Sequence, residues 1–401
     1  MILFSPTVTD VRVRTVGAWF DVHDNDWANV TAGLLRGLQQ AGAYAGHVNA
    51  VPPAALFRLV GGWLRLTGRL DLDRHAWLFT PEISALNRAT NLARRTLARP
   101  DGSVWLQLGP YYGRPTRGPL VTLTDCTMPQ FDAMLAAPGV PEAEPTDRKW
   151  RRLRRATTEL YHRAAACFAA SSWAARSLVE DFRVPAAKVH VIGYGRNLDV
   201  PETAGRDWSV PRFLFVGRDW QRKNGDAVVR AFLRLRQCQP GAHLDLVGSH
   251  PRVDVDGVTG HGPIRADEAE GRQRLGRIFG QATCFVMPSF VEPFGIAYVE
   301  AMAAGMPVIA SSVGGASDFV DDGVGRLVDP RQQQALLEAM RWCSTPPRAA
   351  LLGQQARIRA GAYTWEAVAQ RMLAVLGRLG TPPGGRRGGP ASRTPPTPVG
   401  G

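Results

Sequence analysis

The chain has 401 residues, and its 48 Lys and Arg against 35 Asp and Glu give a formal net charge of +13. That length suits about two to three domains with substantial cores. Hydrophobic and charged fractions of 45% and 21% are ordinary for globular chains and exclude wholesale disorder.

No run of about 18 or more uncharged apolar residues occurs, so no membrane-spanning helix is expected. Met1 to Asp10 lacks a basic region followed by an apolar core, so no secretory signal is expected either. The cysteines (Cys126, Cys167, Cys238, Cys284, Cys343) are scattered and odd in number, which predicts neither a metal site nor a disulfide framework and points to a reducing cytoplasm. Only Lys149, Lys188 and Lys223 among the basic residues are lysine; with abundant Ala and Gly this reads as coding bias, so basicity alone argues weakly for nucleic acid.

In chain order, Val11 to Phe20 reads as a strand, Asp21 to Trp27 as a polar loop, and Ala28 to Gln40 as an amphipathic helix ending near Gly42. Further short buried strands are predicted at His47 to Val51, Ala76 to Phe79, Val104 to Leu108, Leu120 to Thr124, Phe168 to Ser171 and Val189 to Ile192. Tyr194 to Pro211, rich in Gly, Pro and acids, reads as a linker. The alternation restarts with Arg212 to Val216, a helix from Gly225 to Gln237, and Leu244 to Val247. It continues with Thr283 to Met287, a helix ending near Gly305, and Val308 to Ala310. Trp365 to Leu379 reads as a closing amphipathic helix within 364–380, and Thr381 to Gly401 as a disordered Pro/Gly/Arg tail. Such alternation predicts an α/β chain of two doubly wound, Rossmann-like domains, 1–193 and 212–363, facing a central cleft.

The strongest chemical signal is Ser289-Phe290-Val291-Glu292-Pro293-Phe294-Gly295-Ile296-Ala297-Tyr298-Val299-Glu300. Gly295 lets backbone approach a ligand closely, and the helix beginning there points free N–H groups at the loop, a ready phosphate site. Glu300 can accept hydrogen bonds from a ribose diol, and Glu292 can reach sugar hydroxyls. A second signal is Phe215-Val216-Gly217-Arg218-Asp219-Trp220-Gln221-Arg222-Lys223-Asn224-Gly225, where a buried strand ends in glycine before a basic pair. At the carboxyl end of a parallel strand, Arg218 and Lys223 overlie the crevice where open sheets bind ligands. A guanidinium fork and a point-charge ammonium suit a diphosphate.

The Glu-x7-Glu stretch and the Gly-Arg-x4-Lys turn, with Leu244-Asp245-Leu246-Val247-Gly248 and Pro307-Val308-Ile309-Ala310 through Gly314-Gly315, resemble family-4 glycosyltransferases. The likeness is dense from Arg212 to Asp329, and Tyr363-Thr364-Trp365 resembles the start of that family's final helix. It implies the GT-B fold and a retaining, hexosyltransferase-like enzyme using a nucleotide-diphosphate-sugar. It also implies that Arg218 and Lys223 hold the donor diphosphate, Glu300 the ribose and Glu292 the donor sugar. The backbone at Phe294, Gly295 and Ile296 would touch sugar or phosphate.

The N-terminal half matches only in pattern. The family's glycine-rich first turn is represented by Gly17 followed by Ala18-Trp19-Phe20-Asp21, and its cleft histidine has no counterpart in Thr124-Asp125-Cys126-Thr127. Asp125 has two readings, an acceptor-side residue orienting a hydroxyl or a cap for a helix near Met128. Asp24-Asn25-Asp26 offers an Asp-x-Asp pattern, yet it precedes a helix that Asp26 would cap, so no metal is expected. Nor is any cofactor expected beyond the nucleotide sugar. His162, His190, His243 and His261 show no metal-like spacing and read as structural.

The run Arg148-Lys149-Trp150-Arg151-Arg152-Leu153-Arg154-Arg155 reads either as a solvated helix face or as a peripheral contact with the anionic inner face of a membrane. Membrane contact would suit a lipid-linked acceptor; sugar or small-molecule acceptors are equally open. Nucleic acid is the weaker partner, since no recognisable nucleic-acid module accompanies the run. The expected function is therefore retaining transfer of a sugar to an acceptor hydroxyl. A sugar-nucleotide epimerase of the same fold, or a catalytically silent scaffold on membrane or nucleic acid, are the alternatives.

Overall fold

The computed structural model describes residues 11–17, 26–49, 54–66, 89, 102–108, 118–135, 147–198 and 205–379. The strand expected at Ala76 to Phe79, the Asp24-Asn25 part of the acidic loop and the tail from Thr381 lie outside the described residues.

The first unit runs β1 (Val13–Gly17), α1 (Asp26–Gln40), β2 (Tyr44–Asn49), α2 (Ala54–Leu66), β3 (Val104–Leu108), β4 (Leu120–Thr124), α3 (Met128–Leu135), α4 (Asp147–Arg163), β5 (Ala166–Ala169), α5 (Ser172–Glu180) and β6 (Val189–Val191). Its strands pair in parallel in the order β2-β1-β3-β4-β5-β6.

The second unit runs β7 (Arg212–Val216), α6 (Gly225–Arg236), β8 (His243–Val247), β9 (Val258–Gly262), α7 (Ala269–Gln281), β10 (Cys284–Met287), α8 (Ile296–Ala303), β11 (Val308–Ser311), β12 (Gly325–Val328), α9 (Gln333–Cys343), α10 (Pro346–Ala360) and α11 (Trp365–Leu379). Its parallel sheet has the order β12-β11-β10-β7-β8-β9.

Helices covering both faces explain why the strands are apolar runs and not alternating ones. Phe213, Leu214 and Phe215 of β7 and Cys284 to Met287 of β10 are all fully buried. Each sheet reverses its winding beside its first strand, between β1 and β3 and between β7 and β10, and open sheets bind ligands at such points.

Several strand bounds differ from expectation. The first strand begins at Val13 and the second at Tyr44, because apolar pattern alone locates a strand better than it locates its ends; Ala18 to Phe20 lie outside the described residues. The first helix spans Asp26–Gln40, beginning two residues before the Ala28 expected.

The closing helix α11 packs on the first unit, although it follows the second in sequence. Trp365 donates its indole N–H to the Asn197 side chain at 2.9 Å, and Arg371 donates Nε–H to the Ile192 carbonyl at 2.7 Å. Ser171, the N-cap of α5, donates its hydroxyl to the Pro293 carbonyl at 3.0 Å, and Ser172 hydrogen-bonds Asp318. These contacts bring the carboxyl end of the first sheet against the loop after β10.

Candidate active site in the crevice between the two sheets

At the reversal point of the second sheet, the turn after β7 and the loop after β10 meet. Phe290 N–H donates to the Arg222 carbonyl at 2.8 Å. The same loop is pinned on its other side by a parallel bridge between Glu292 and Gly314, with Glu292 N–H to Val313 O at 3.1 Å and Gly315 N–H to Glu292 O at 3.0 Å. Gly314 has φ of +125°, and a Cβ there would lie 1.9 Å from the Glu292 carbonyl oxygen, so only glycine fits. Glu292 is thus placed by backbone on both flanks before its side chain makes any contact.

Its carboxylate is buried and receives three donors. Lys223 Nζ lies 3.1 Å from Oε2, Arg222 Nη1 3.4 Å from the same oxygen, and Ser289 donates its hydroxyl at 3.1 Å. Burial pushes this carboxyl up, but Lys223 and Arg222 outweigh it and hold Glu292 below its usual value. Burial lowers the Lys223 ammonium, with Glu292 opposing, while for Arg222 the charges of Glu292 and Asp219 overcome desolvation and raise it. Arg222 is further fixed by Asp219 at 3.2 Å and the Val291 carbonyl at 2.9 Å. Two cations and two anions, Lys223 and Arg222 with Glu292 and Asp219, thus interlock in a confined space.

Beside this corner α8 begins. Gly295 is its N-cap with φ of +86°, a left-handed conformation that favours glycine, and no side chain caps the helix. Tyr298 N–H donates to the Gly295 carbonyl at 2.9 Å, and the N–H groups of Ile296 and Ala297 at the start of the helix lie beside the Glu292 loop. Phe294 packs its buried ring against Tyr194, Phe319 and Tyr363, so its contribution to a site is its backbone.

Glu300, one turn into α8, accepts N–H bonds from Asn197 at 3.2 Å and Leu198 at 3.1 Å. Burial nevertheless pushes its carboxyl up to about 7. Arg218, just after β7, is exposed at the crevice rim, and partial desolvation lowers its guanidinium.

From the first sheet, Asp125 follows β4 and reaches this neighbourhood. Burial raises its carboxyl to about 7, the backbone N–H of Cys126 opposing at 2.8 Å, and the charge on Glu292 raises it further. Asp125 does not cap α3. That role falls to Thr127 and Gln130, whose side chain accepts the Thr127 N–H at 3.0 Å, a capping arrangement that frees Asp125.

Sequence reasoning singled out Lys223, Glu292, Gly295 and Glu300 and missed Arg222 and Ser289. The signal for Arg222 was its position beside Lys223 in a turn that must fold back on itself. For Ser289 it was a hydroxyl three residues before a carboxylate in a tight loop. Among the described residues no group of three His, Cys, Asp or Glu side chains could hold a metal ion. His162 and His261 bond to the Phe182 carbonyl and to Asp245, in keeping with structural roles.

Two parallel Rossmann-like sheets that meet at their ligand-binding edges define the class: the chain has the GT-B fold. The structure of sucrose-phosphate synthase from Thermosynechococcus elongatus superposes with a TM-score of 0.67 at 20% identity, covering 92% of this chain and 99% of that one. Residues 210–345 match the family Glycosyl transferases group 1. A D-inositol 3-phosphate glycosyltransferase of Segniliparus rotundus is 31% identical over 186 residues, 42% of this chain and 40% of that protein. The protein of the same name from Nocardiopsis dassonvillei is 29% identical over 347 residues, 77% of each. The chain thus spans well under two thirds of the first relative's length.

Proposed function

We propose that the chain transfers a glycosyl group from a nucleotide-diphosphate-sugar to an acceptor hydroxyl, with retention at the anomeric carbon. The observation that carries this reading is the placement of two buried cations, Lys223 and Arg222, around Glu292 beside the start of α8 at Gly295, which no side chain caps. A diphosphate leaving group gains negative charge as the glycosidic bond breaks. Fixed cations and helix N–H groups aimed at that charge supply the electrostatic term that commonly dominates such catalysis. Arg218 at the rim adds a third cation, and the group needs no metal for this purpose.

Glu300 holds the ribose, and Glu292, already oriented by its donors, contacts the transferred sugar. Asp125 stands on the acceptor side, where a carboxyl titrating at about 7 can accept a hydrogen bond from the attacking hydroxyl. The relatives' names include a phosphorylated polyol acceptor, and an acceptor of that general kind, or a lipid-linked one, fits this half. The enzyme would work in the cytoplasm, with the arginine run of α4 turned to an anionic membrane.

Incubation with a panel of nucleotide sugars, following nucleoside diphosphate release, tests the reading. Acceptor-dependent release supports it. Isomerised donor without acceptor would replace it by an epimerase, and no binding or turnover with any donor by a scaffold.

A further inference from the structure

Tyr194 to Pro211 reads from sequence as a linker, yet its first residues are fastened along the start of α11. Arg196 N–H donates to the Tyr363 carbonyl at 3.0 Å, and the Arg371 guanidinium donates to the carbonyls of Ile192 and Ala362 at 2.7 and 2.8 Å. In chain order between Tyr363 and Arg371 lies Trp365, the first residue of α11 and only 6% exposed. Glycines make its socket. Gly33 and Gly37 stand four apart on one face of α1, and Gly195 of the linker abuts the same residue. A Cβ at any of the three would collide with Trp365. Glycine inside a helix is unfavourable, so the pair in α1 has its physical reason in this close approach.

A buried indole N–H needs an acceptor, and this one finds the Asn197 side-chain oxygen at 2.9 Å. The backbone of the same asparagine does something else. Its N–H and that of Leu198 donate to Glu300 at 3.2 and 3.1 Å, and both bonds end on Oε1. Oε2 accepts no hydrogen bond from the described residues, so it is the oxygen left for a ligand. The two N–H groups also oppose the upward push of burial on this carboxyl and favour its ionised form, the stronger acceptor for hydroxyls. Glu300 belongs to the second unit, Asn197 follows the last strand of the first, and Trp365 rests on α1 of the first. One chain of contacts therefore runs from α1 through Trp365 and Asn197 to a carboxylate of the donor half.

We propose that Asn197 and Trp365 are positioning residues for the donor ribose: their indole–amide bond holds the backbone of Asn197 and Leu198 on Glu300 Oε1 and so turns Oε2 to the ribose diol. This rests on the reading of Glu300 as the ribose carboxylate and adds what aims it. Ribose recognition then depends on α11 staying docked on the first unit, so the nucleotide is read by both halves of the molecule. The diphosphate contacts at Lys223 and Arg222 lie outside this chain of contacts and do not depend on it.

Calorimetric titration of the full chain with uridine, guanosine and adenosine diphosphates, and with their deoxyribose counterparts, tests it. The parent should bind one ribonucleotide about tenfold more tightly than its deoxy form, which lacks a hydroxyl that donates to the carboxylate. Trp365→Phe keeps a ring and removes the indole N–H, while Asn197→Ala removes its acceptor and leaves the backbone N–H in place. Each should bring the two affinities to within about twofold of each other, and the double variant should do no more, because the pair acts as one unit. Affinity for the deoxy form should stay near that of the parent, which a general loss of fold would not allow. Asn197 is half-buried, so Asn197→Ala carries the test should Trp365→Phe fail to fold. An undiminished preference for ribose in Asn197→Ala, or an equal loss of both affinities, would overturn the inference and leave the donor site standing. A parent that binds no nucleoside diphosphate, or binds ribo and deoxy forms equally, would overturn the reading of Glu300 and this inference with it.

Discussion

The two sheets share an architecture, and among the described residues the ligand edge of the second carries the denser set of fixed contacts. In the second, the loop after β10 is held by backbone bonds to Arg222, Val313 and Gly315, and Gly314 leaves no space for a Cβ beside it. Arg222, Lys223 and Glu292 at its reversal point each have a fixed neighbour. In the first, the described ligand edge offers Asp125, a partly buried carboxyl held by a neighbouring backbone N–H. The difference fits a division in which one half binds a constant group, a nucleoside diphosphate, and the other a variable acceptor. A rigid cradle suits charge stabilisation, because dipoles fixed in advance need no rearrangement as charge develops.

The largest expected effect tests that rigidity. Gly314→Ala forces a Cβ into the Glu292 backbone at a positive φ and should cost about 3 kcal/mol or more of stability, read as a fall in the urea midpoint. An unchanged midpoint would mean that the cradle yields, and the contrast between the halves would fail.

Lys223→Ala comes next. Removing one member of a buried charge group costs about 2–5 kcal/mol, so nucleoside diphosphate affinity by calorimetry should fall roughly 100-fold. Affinity within a factor of two of the parent would remove Lys223 from the donor site.

Asp125→Asn should spare donor affinity and lower turnover about tenfold or more, placing its role on the acceptor side. Turnover of the parent should rise as pH passes about 7 and that rise should vanish in the variant. Stability carries the opposite slope. The folded carboxyl keeps its proton up to about 7 and an unfolded aspartate releases it near 3.8, so Asp125 disfavours folding increasingly from about pH 4 to pH 7. Asp125→Asn should therefore raise stability above pH 7 by about 1–2 kcal/mol, a value reduced for partial exposure. Equal thermal midpoints at pH 5 and pH 8 relative to the parent would refute this.

Ser171→Ala should have the smallest effect, about 1 kcal/mol, from the lost bond to the Pro293 carbonyl across the two units. A much larger loss would show that the halves depend on each other more than their separate sheets suggest.

Much of this was readable in the chain. Leu120–Thr124, Val104–Leu108 and Trp365–Leu379 fall where apolar pattern predicts them, because strand and helix periodicities are local. Glu292, Gly295 and Glu300 were legible for the same reason, since one loop and one helical turn set their spacing. Asp125 was legible as a candidate, but its two readings could be separated only by seeing Thr127 and Gln130 take the cap.

What tertiary structure alone decided is non-local. Arg222 and Lys223 lie about 70 residues from Glu292, and only the pairing of β7 with β10 brings their turns together. The approach of Asp125 to the same carboxylate, and the return of α11 onto the first unit, depend on how two separately wound sheets pack. The sequence by itself determined which segments become strands and helices and which residues carry charge. Which charges face one another was decided by packing, because a pKa or an ion pair depends on distance and burial, and neither is a property of residue order.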